Sequence, residues 1–175
     1  MLESLDTESP EQRGKRDFAA GRYTSALENF RQAAMAYAAA GDHANQAEQR
    51  NNVGVTLLEL GKPAEALESV AGTEDIFAAN GDVRRQGIAI NNRAAALEAL
   101  HRPDEAIAAY EQAASLLGAA GERGLQTEAL KAAAAVELRR GRLGSSGSKM
   151  LGALLSNPHP GVLDRVLRAL LRLAR

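Results

Sequence analysis

The sequence predicts an all-α protein built from repeated helical hairpins, and three observations support this fold class. Residues recur at an interval of 40 positions, most clearly between 51–70 and 91–110. Strong helix formers fill the stretches between glycines, and apolar residues follow one another at spacings of three and four. No stretch alternates apolar and polar residues as a β-strand would. We therefore expect an α-solenoid of four helical hairpins followed by a C-terminal capping helix.

Glycines in two registers mark the ends of the predicted helices. The first register is interrupted once, by a histidine at position 101, and its glycines are Gly21, Gly61 and Gly141. The glycines of the second register are Gly41, Gly81 and Gly121. Glycine is favoured just past a helix end, where the chain turns through a left-handed conformation. The two registers therefore predict two helices in each 40-residue unit.

Proline marks the start of the second helix in the two central units. Pro63 and Pro103 suit the first turn of a helix, because that turn does not use the amide hydrogen that proline lacks. One small residue per helix keeps the same 40-residue register, which predicts close packing of neighbouring helices. These residues are Gly14, Gly54, Ala94 and Ala134 on the first helices, and Ala26, Ala66 and Ala106 on the second helices.

These features resemble the tetratricopeptide repeat family over about residues 7–158. The family pattern has a small residue on the first helix, then Gly-x-x-x-Glu-Ala, an aromatic residue, an alanine and a closing proline. Its elements here are Gly61 with Glu65-Ala66, Phe30, Tyr110, Ala33, Ala113 and Pro158. The usual repeat has about 34 residues, so the chain is similar to a longer-helix variety. The resemblance implies one right-handed solenoid domain over 1–175, with repeats at 7–40, 41–80, 81–120 and 121–158 and an amphipathic capping helix at 160–175.

The residue inventory argues against catalysis and metal binding. The chain has no cysteine, which excludes disulfides, thiolate zinc sites and a cysteine nucleophile. Its three histidines lie far apart in the sequence, and none has a second histidine four positions away to complete a helical metal pair. The stretch GSSGSK at 144–149 lacks the spacing and the preceding strand of a phosphate-binding loop. We expect a non-enzymatic protein without a metal or cofactor.

Charge and hydropathy set further limits on function. The net charge of −1 argues against nucleic-acid binding. The stretch 1–16 has acidic residues where a secretory signal needs basic ones, and no apolar run approaches membrane-spanning length. The sequence therefore favours a cytoplasmic protein without a membrane span. The charge is uneven, because residues 1–138 hold 13 basic and 21 acidic residues whereas residues 139–175 hold 8 and 1.

A stripe along the first helices is the candidate partner-binding surface. If Gly54 packs against the second helix, the rotation of about 100° per residue places a separate stripe on another face of the same helix. We expect this stripe to line the concave surface of the solenoid. Its candidate residues are Gln12, Lys15, Glu48, Asn52, Val55, Glu59, Ile88, Asn92, Glu128 and Arg139.

Gln12, Asn52 and Asn92 share one register of this stripe and form a predicted ladder of carboxamides. A carboxamide both donates and accepts, so such a ladder can bind the backbone of an extended peptide. Other tetratricopeptide proteins use asparagine in this way. The alternative is that Asn52 and Asn92 bridge neighbouring helices or satisfy local polar groups. The acidic residues of the stripe favour a neutral or basic peptide, so we expect an adaptor for a protein or peptide partner.

The stretch 161–175 predicts an amphipathic helix with two roles to consider. A solenoid needs a terminal helix with one polar face to cover its last repeat. The apolar face is wider than this role requires, so the stretch is also a candidate for homo-oligomerisation. The candidate contact residues are Leu163, Leu167, Leu170 and Leu171. Two alternatives to the adaptor therefore stay open, a self-assembling scaffold and a chaperone for a specific substrate protein.

Overall fold

The computed structural model describes residues 8–140, and this part of the chain contains eight α-helices and no strand. The helices are α1 Pro10–Ala19, α2 Tyr23–Ala39, α3 His43–Glu59, α4 Pro63–Val70, α5 Thr73–Ala79, α6 Val83–Ala99, α7 Pro103–Ala119 and α8 Arg123–Arg139. Consecutive helices pack on one another along the chain, except that α4 and α5 pack mainly on α3 and α6, and each hairpin packs on the next. The predicted all-α solenoid is confirmed.

Helix starts and turns follow the local chemistry of the sequence. Asp42 and Asp82 cap α3 and α6 by accepting hydrogen bonds from backbone N–H groups three residues on. Left-handed residues, with φ between 58° and 79°, close the turns at the predicted positions, which are Gly21, Gly41, Gly61, Gly81, His101 and Gly121. His101 is the only non-glycine residue of 8–140 with positive φ. Helix packing therefore imposes this turn even where the residue does not favour it.

The predicted small residues lie where helices approach closely. Ala26, Ala66 and Ala106 are fully buried between helices. A Cβ added to Gly14 would lie 2.6 Å from the ring of Phe30, which is closer than two carbon atoms can pack. Because alanine buries little apolar area, the core depends on this close approach rather than on large side chains.

The second hairpin departs from the prediction of two helices per unit. Its second helix ends at Val70, and α5 begins at Thr73 after an extended Ala71 and a left-handed Gly72 with φ 75°. The corresponding helices α2 and α7 each run for 17 residues without interruption. The apolar core is divided at the same place, with one cluster centred on α2–α4, another on α6–α8 and a small one between them.

Several predictions fall on residues outside 8–140. The second helix of the fourth hairpin, the capping helix and the four oligomerisation candidates Leu163, Leu167, Leu170 and Leu171 lie outside the described residues. The repeat boundaries and the terminal contact surface therefore stay predictions. Within residues 8–140, no helix has both the length and the apolar character needed to cross a bilayer.

Candidate partner-binding site

A cavity of about 340 Å³ opens at the junction of the second and third hairpins. Its lining residues are Glu48, Asn51, Asn52, Phe77, Asp82, Arg84, Arg85, Ile88 and Asn92. Four of them belong to the predicted partner-binding stripe, namely Glu48, Asn52, Ile88 and Asn92. The structure therefore brings the central part of that stripe together around one cavity, which is large enough for a side chain or a short peptide segment.

The first helices of the second and third hairpins, α3 and α6, supply most of this lining. Glu48 and Asn52 lie one turn apart on α3, and Ile88 and Asn92 lie one turn apart on α6. Residues four positions apart share a helix face, so each pair faces the same way. Phe77 enters from α5 and is almost fully buried against both helices. The cavity thus combines polar groups from α3 and α6 with one aromatic ring.

Arg85 is held by three neighbours in the lining. Its guanidinium donates to the carboxylate of Asp82 and, at 3.2 Å, to Glu48 Oε2, and it lies 5.1 Å from the centroid of the Phe77 ring. The hydrogen bond to Asp82 contributes most to raising the pKa of Arg85 above its usual value. The pKa of Asp82 is lowered, first by the backbone N–H of Arg85 and then by its side chain. The pair of Asp82 and Arg85 therefore stays ionised at neutral pH.

The charges of the lining balance one another. Arg84 donates from Nε to Glu122 Oε1 at 2.6 Å, so its charge is also paired. The two carboxylates and two guanidinium groups of the lining give no net charge. Within residues 8–140, no group of three histidine or acidic side chains is placed to hold a metal ion. The described part of the cavity is therefore suited to hydrogen bonding with a polar ligand rather than to capturing a strong charge.

Hydrogen bonds inside the protein orient the two asparagines of the predicted ladder. Asn52 Nδ2 donates to Gln49 Oε1 at 3.1 Å, and Asn92 Nδ2 donates to Asn51 Oδ1 at 3.3 Å. Among the described residues, no group donates to the side-chain oxygen of Asn52 or Asn92. The bond from Asn92 to Asn51 joins α6 to α3, as the helix-bridging alternative expects. It also leaves the side-chain oxygen as an acceptor, so the two interpretations are compatible.

Buried polar residues hold the asparagines in place. Gln49 exposes only 1% of its surface and Asn51 only 5%, although both are polar. Asn51 Nδ2 donates to the carbonyl oxygen of Ala47 at 3.0 Å. A buried carboxamide is costly unless it is hydrogen-bonded, so these residues have few alternative orientations. Their fixed positions in turn fix the orientation of Asn52 and Asn92.

The first-hairpin residues of the predicted stripe have other contacts. Gln12 Oε1 accepts a hydrogen bond from the backbone N–H of Ser9 at 2.9 Å, which completes the capping box of α1. Lys15 pairs with Glu11 at 2.5 Å. The pKa of Glu11 is lowered by its hydrogen bonds, first to Lys15 and then to Tyr37. Gln12 therefore acts in a helix cap, and only Asn52 and Asn92 of the ladder lie at the cavity.

The remaining predicted residues lie along the stripe away from the cavity lining. Val55 is half-buried and Glu59 is exposed near the end of α3. On α8, Glu128 pairs with Lys131 at 3.0 Å, whereas Arg139 forms an ion pair with Glu98 of α6. A role for these residues in partner binding stays a prediction.

Five lining residues were not predicted, which are Asn51, Phe77, Asp82, Arg84 and Arg85. One signal was available for the arginines, because the 40-residue register places Ala44-Asn45 and Gly124-Leu125 where Arg84-Arg85 stands. Charged residues in one repeat, at positions where the other repeats have uncharged ones, are typical of a functional site. Phe77 gave no such signal, since its position depends on the break before α5.

Comparison with known proteins supports the fold. No family model and no curated protein sequence matches the chain. Among solved structures, the chain is similar to the nearly identical TPR-like repeats of a Podosopora anserina protein described as a kinesin light chain. The two share 17% sequence identity, with a TM-score of 0.53 over 83% of this chain and 80% of the other. At this identity the likeness concerns the fold alone, and it agrees with a TPR-like repeat architecture.

Proposed function

We propose that the protein is a non-enzymatic adaptor that binds an extended segment of a protein partner along the concave surface of the solenoid. The binding site is centred on the cavity between α3 and α6. The orientation of Asn52 and Asn92 is the observation that supports this proposal most strongly. The amide groups of Asn52 and Asn92 donate to Gln49 and Asn51. This leaves the side-chain oxygens of Asn52 and Asn92 as two acceptors on successive hairpins.

An extended polypeptide offers the matching chemistry. Each residue other than proline carries one backbone N–H donor, and in an extended segment these donors recur at regular intervals. Two fixed acceptors on neighbouring helices can bind such donors without contacting particular side chains. The TPR-like fold supports a protein partner, because stacked hairpins present a long continuous surface.

The charges favour a neutral or basic segment. Arg84 and Arg85 are already paired with carboxylates of the protein, so an acidic segment would have to displace those pairs. A lysine side chain, in contrast, can donate to the side-chain oxygens of Asn52 and Asn92 or to Glu48. The cavity therefore selects segments that donate hydrogen bonds more than it selects segments of a particular net charge.

Peptide selection tests this function. Peptides are selected from a random displayed library on the immobilised chain, and the affinity of the selected peptides is measured by calorimetry. Replacing both Asn52 and Asn92 by alanine should weaken binding by about 1–3 kcal/mol for each lost buried pairing. The lost acceptors are the physical reason, because the peptide donors are then buried without partners.

Asn91→Ala is the matched control. Asn91 precedes Asn92 on α6 but is not part of the cavity lining. Its replacement should leave peptide binding unchanged, and circular dichroism should show the same helicity in all variants. Undiminished affinity of the folded double variant for the selected peptides would contradict the proposed site.

A further inference from the structure

The second hairpin carries an arginine at a position that is apolar in the next two hairpins. Arg50 on α3 corresponds, at the 40-residue interval, to Ile90 on α6 and Leu130 on α8. Those two residues expose 0% and 5% of their surface. A guanidinium group in such a position is costly unless its N–H groups find acceptors. Arg50 itself is half-buried, and its guanidinium finds acceptors within the protein that an uninterrupted helix would not provide.

The break between α4 and α5 supplies these acceptors. Arg50 donates from Nε to the carbonyl oxygen of Ser69 at 3.0 Å and from Nη2 to that of Ala71 at 2.8 Å. Ser69 Oγ donates back to the Arg50 carbonyl oxygen at 2.9 Å. Thr73 Oγ1 donates to the Val70 carbonyl oxygen at 2.7 Å. A helix end leaves its last carbonyl groups without intrahelical partners, and Arg50 and Thr73 together satisfy three consecutive ones.

A second arginine, Arg93 on α6, contacts α5 from the side opposite α3. Arg93 Nε on α6 lies 2.9 Å from Glu74 Oε1 in the first turn of α5, an ion pair whose angles are not those of a hydrogen bond. The same register holds the buried apolar residues Val53 and Ala133 in neighbouring hairpins. Both arginines thus replace apolar residues, and both act on the broken helix. The break is therefore supported from α3 and from α6.

The placement of α5 affects the cavity directly. Phe77 on α5 packs with Ala47 of α3 and Ala89 of α6, and its ring lies under the guanidinium of Arg85. At this junction α3 and α6 also pack on each other, more extensively than α6 and α8 do at the next junction. The helix between α6 and α8 is the unbroken α7. The broken helix thus accompanies a closer approach of the two first helices that line the cavity.

We propose that Arg50 is a positioning residue of the binding site. By binding the carbonyl groups that the break releases, Arg50 fixes α5 and so sets the separation of α3 and α6 that forms the cavity. Its relevance to a partner rests on the proposed function, but its effect on geometry can be measured without a ligand.

Hydrogen exchange of the full chain, followed by mass spectrometry, tests the local part of this inference. Arg50→Met keeps an apolar stem and removes both donors, so amides in 72–79 should exchange roughly tenfold faster as the break loosens. Arg50→Lys retains one charged donor and should give an intermediate rate. Arg31→Met, which changes an exposed arginine on α2, is the matched control and should leave these rates unchanged. Equal rates in Arg50→Met and the unaltered chain would overturn the inference.

Spin-label distances test the effect on the cavity. Because the chain has no cysteine, His43→Cys with Val83→Cys places labels at the starts of α3 and α6, and Val83→Cys with Arg123→Cys places them at the starts of α6 and α8. Arg50→Met should shift or broaden the first distance distribution and leave the second unchanged. If Arg50→Met does not fold, Arg50→Lys takes its place.

The spin-label distances and the peptide-binding measurements together separate this inference from the proposed function. An unchanged distance between positions 43 and 83 would overturn the role of Arg50 even if the selected peptides depend on Asn52 and Asn92. A changed distance would support the role of Arg50 in shaping the cavity. If the affinity of the selected peptides were also unchanged by replacing both asparagines, the result would contradict the peptide site.

Discussion

The second and third hairpins share one register but differ in the path of their second helix. Both helices begin at a proline, and both bury the small residue at the point of closest approach, Ala66 or Ala106. Beyond Val70 the second hairpin breaks, whereas α7 continues past Tyr110 to Ala119. The two hairpins are therefore alike in the half that the repeat pattern describes and different in the other half.

Different contacts stabilise these two second halves. In the third hairpin Tyr110 is buried and its hydroxyl donates to Glu98 at 2.8 Å, and burial followed by this bond raises the pKa of Tyr110. In the second hairpin the smaller Val70 takes this position, and the hydrogen bonds of Arg50 hold the helix end. A repeat can thus keep its register while polar contacts redirect one helix, and the candidate site lies where this happens.

Gly54 gives the largest expected effect on this comparison. In Gly54→Ala the new Cβ would lie 2.5 Å from Val70 Cγ1 and 3.4 Å from the carbonyl oxygen of Ala66. Val70 is branched and fully buried, so it cannot move aside without disturbing the end of α4. We expect a loss of about 1–3 kcal/mol in the free energy of unfolding, measured by urea titration.

Gly124→Ala provides the control with the opposite sign. Gly124 is also helical, but no heavy atom lies within 4 Å of a Cβ added there. This substitution should stabilise the protein by about 0.5 kcal/mol, because alanine restricts the unfolded chain more than glycine does. A neutral Gly54→Ala would mean that α3 and α4 do not approach as closely as the structure indicates.

The left-handed residue of the break gives the next largest effect. Gly72→Ala should cost about 1 kcal/mol, because alanine is strained at φ 75° even though no atom lies within 4 Å of the added Cβ. Gln112 occupies the same register in the uninterrupted α7, so Gln112→Ala should be neutral or slightly stabilising. Thermal unfolding by circular dichroism compares the two. A Gly72→Ala variant as stable as the unaltered chain would show that the break is not required by the fold.

The sequence alone predicts the hairpins well because their determinants are local. A left-handed glycine follows most of the helices, a proline or a capping aspartate begins several of them, and a small residue such as Ala66 allows close packing. Each of these signals recurs at a fixed interval, so the sequence itself provides several independent instances. The same periodicity predicts Asn52 and Asn92 in one register, and both line the cavity.

The break and half of the cavity depend on contacts between distant parts of the chain. From the sequence alone, Gly72 resembles a glycine tolerated within a helix. The structure shows that Arg50, 22 positions earlier, binds the carbonyl groups just before it. Phe77 and Arg85 meet only because α5 and α6 pack against α3. The available signal was indirect: Arg50 and Arg93 stand where other repeats have buried apolar residues. A charged residue that replaces a repeated apolar one indicates a local change of structure.

The smallest effect is expected at the turns that follow the first helices of the two hairpins. Gly61 adopts φ 71° in the second hairpin, and His101 adopts φ 58° at the same register in the third. The strain of a side chain in this region is partly offset by the greater freedom of glycine in the unfolded chain. His101→Gly should therefore stabilise the protein by about 0.5 kcal/mol, and Gly61→His should destabilise it by a similar amount. Both positions are exposed, so changes in packing contribute little. Urea titration of the chain with both substitutions provides the internal check, because the two effects should cancel if the turns are equivalent and independent. A double variant that differs clearly from the unaltered chain would show that the two turns differ beyond their backbone angles.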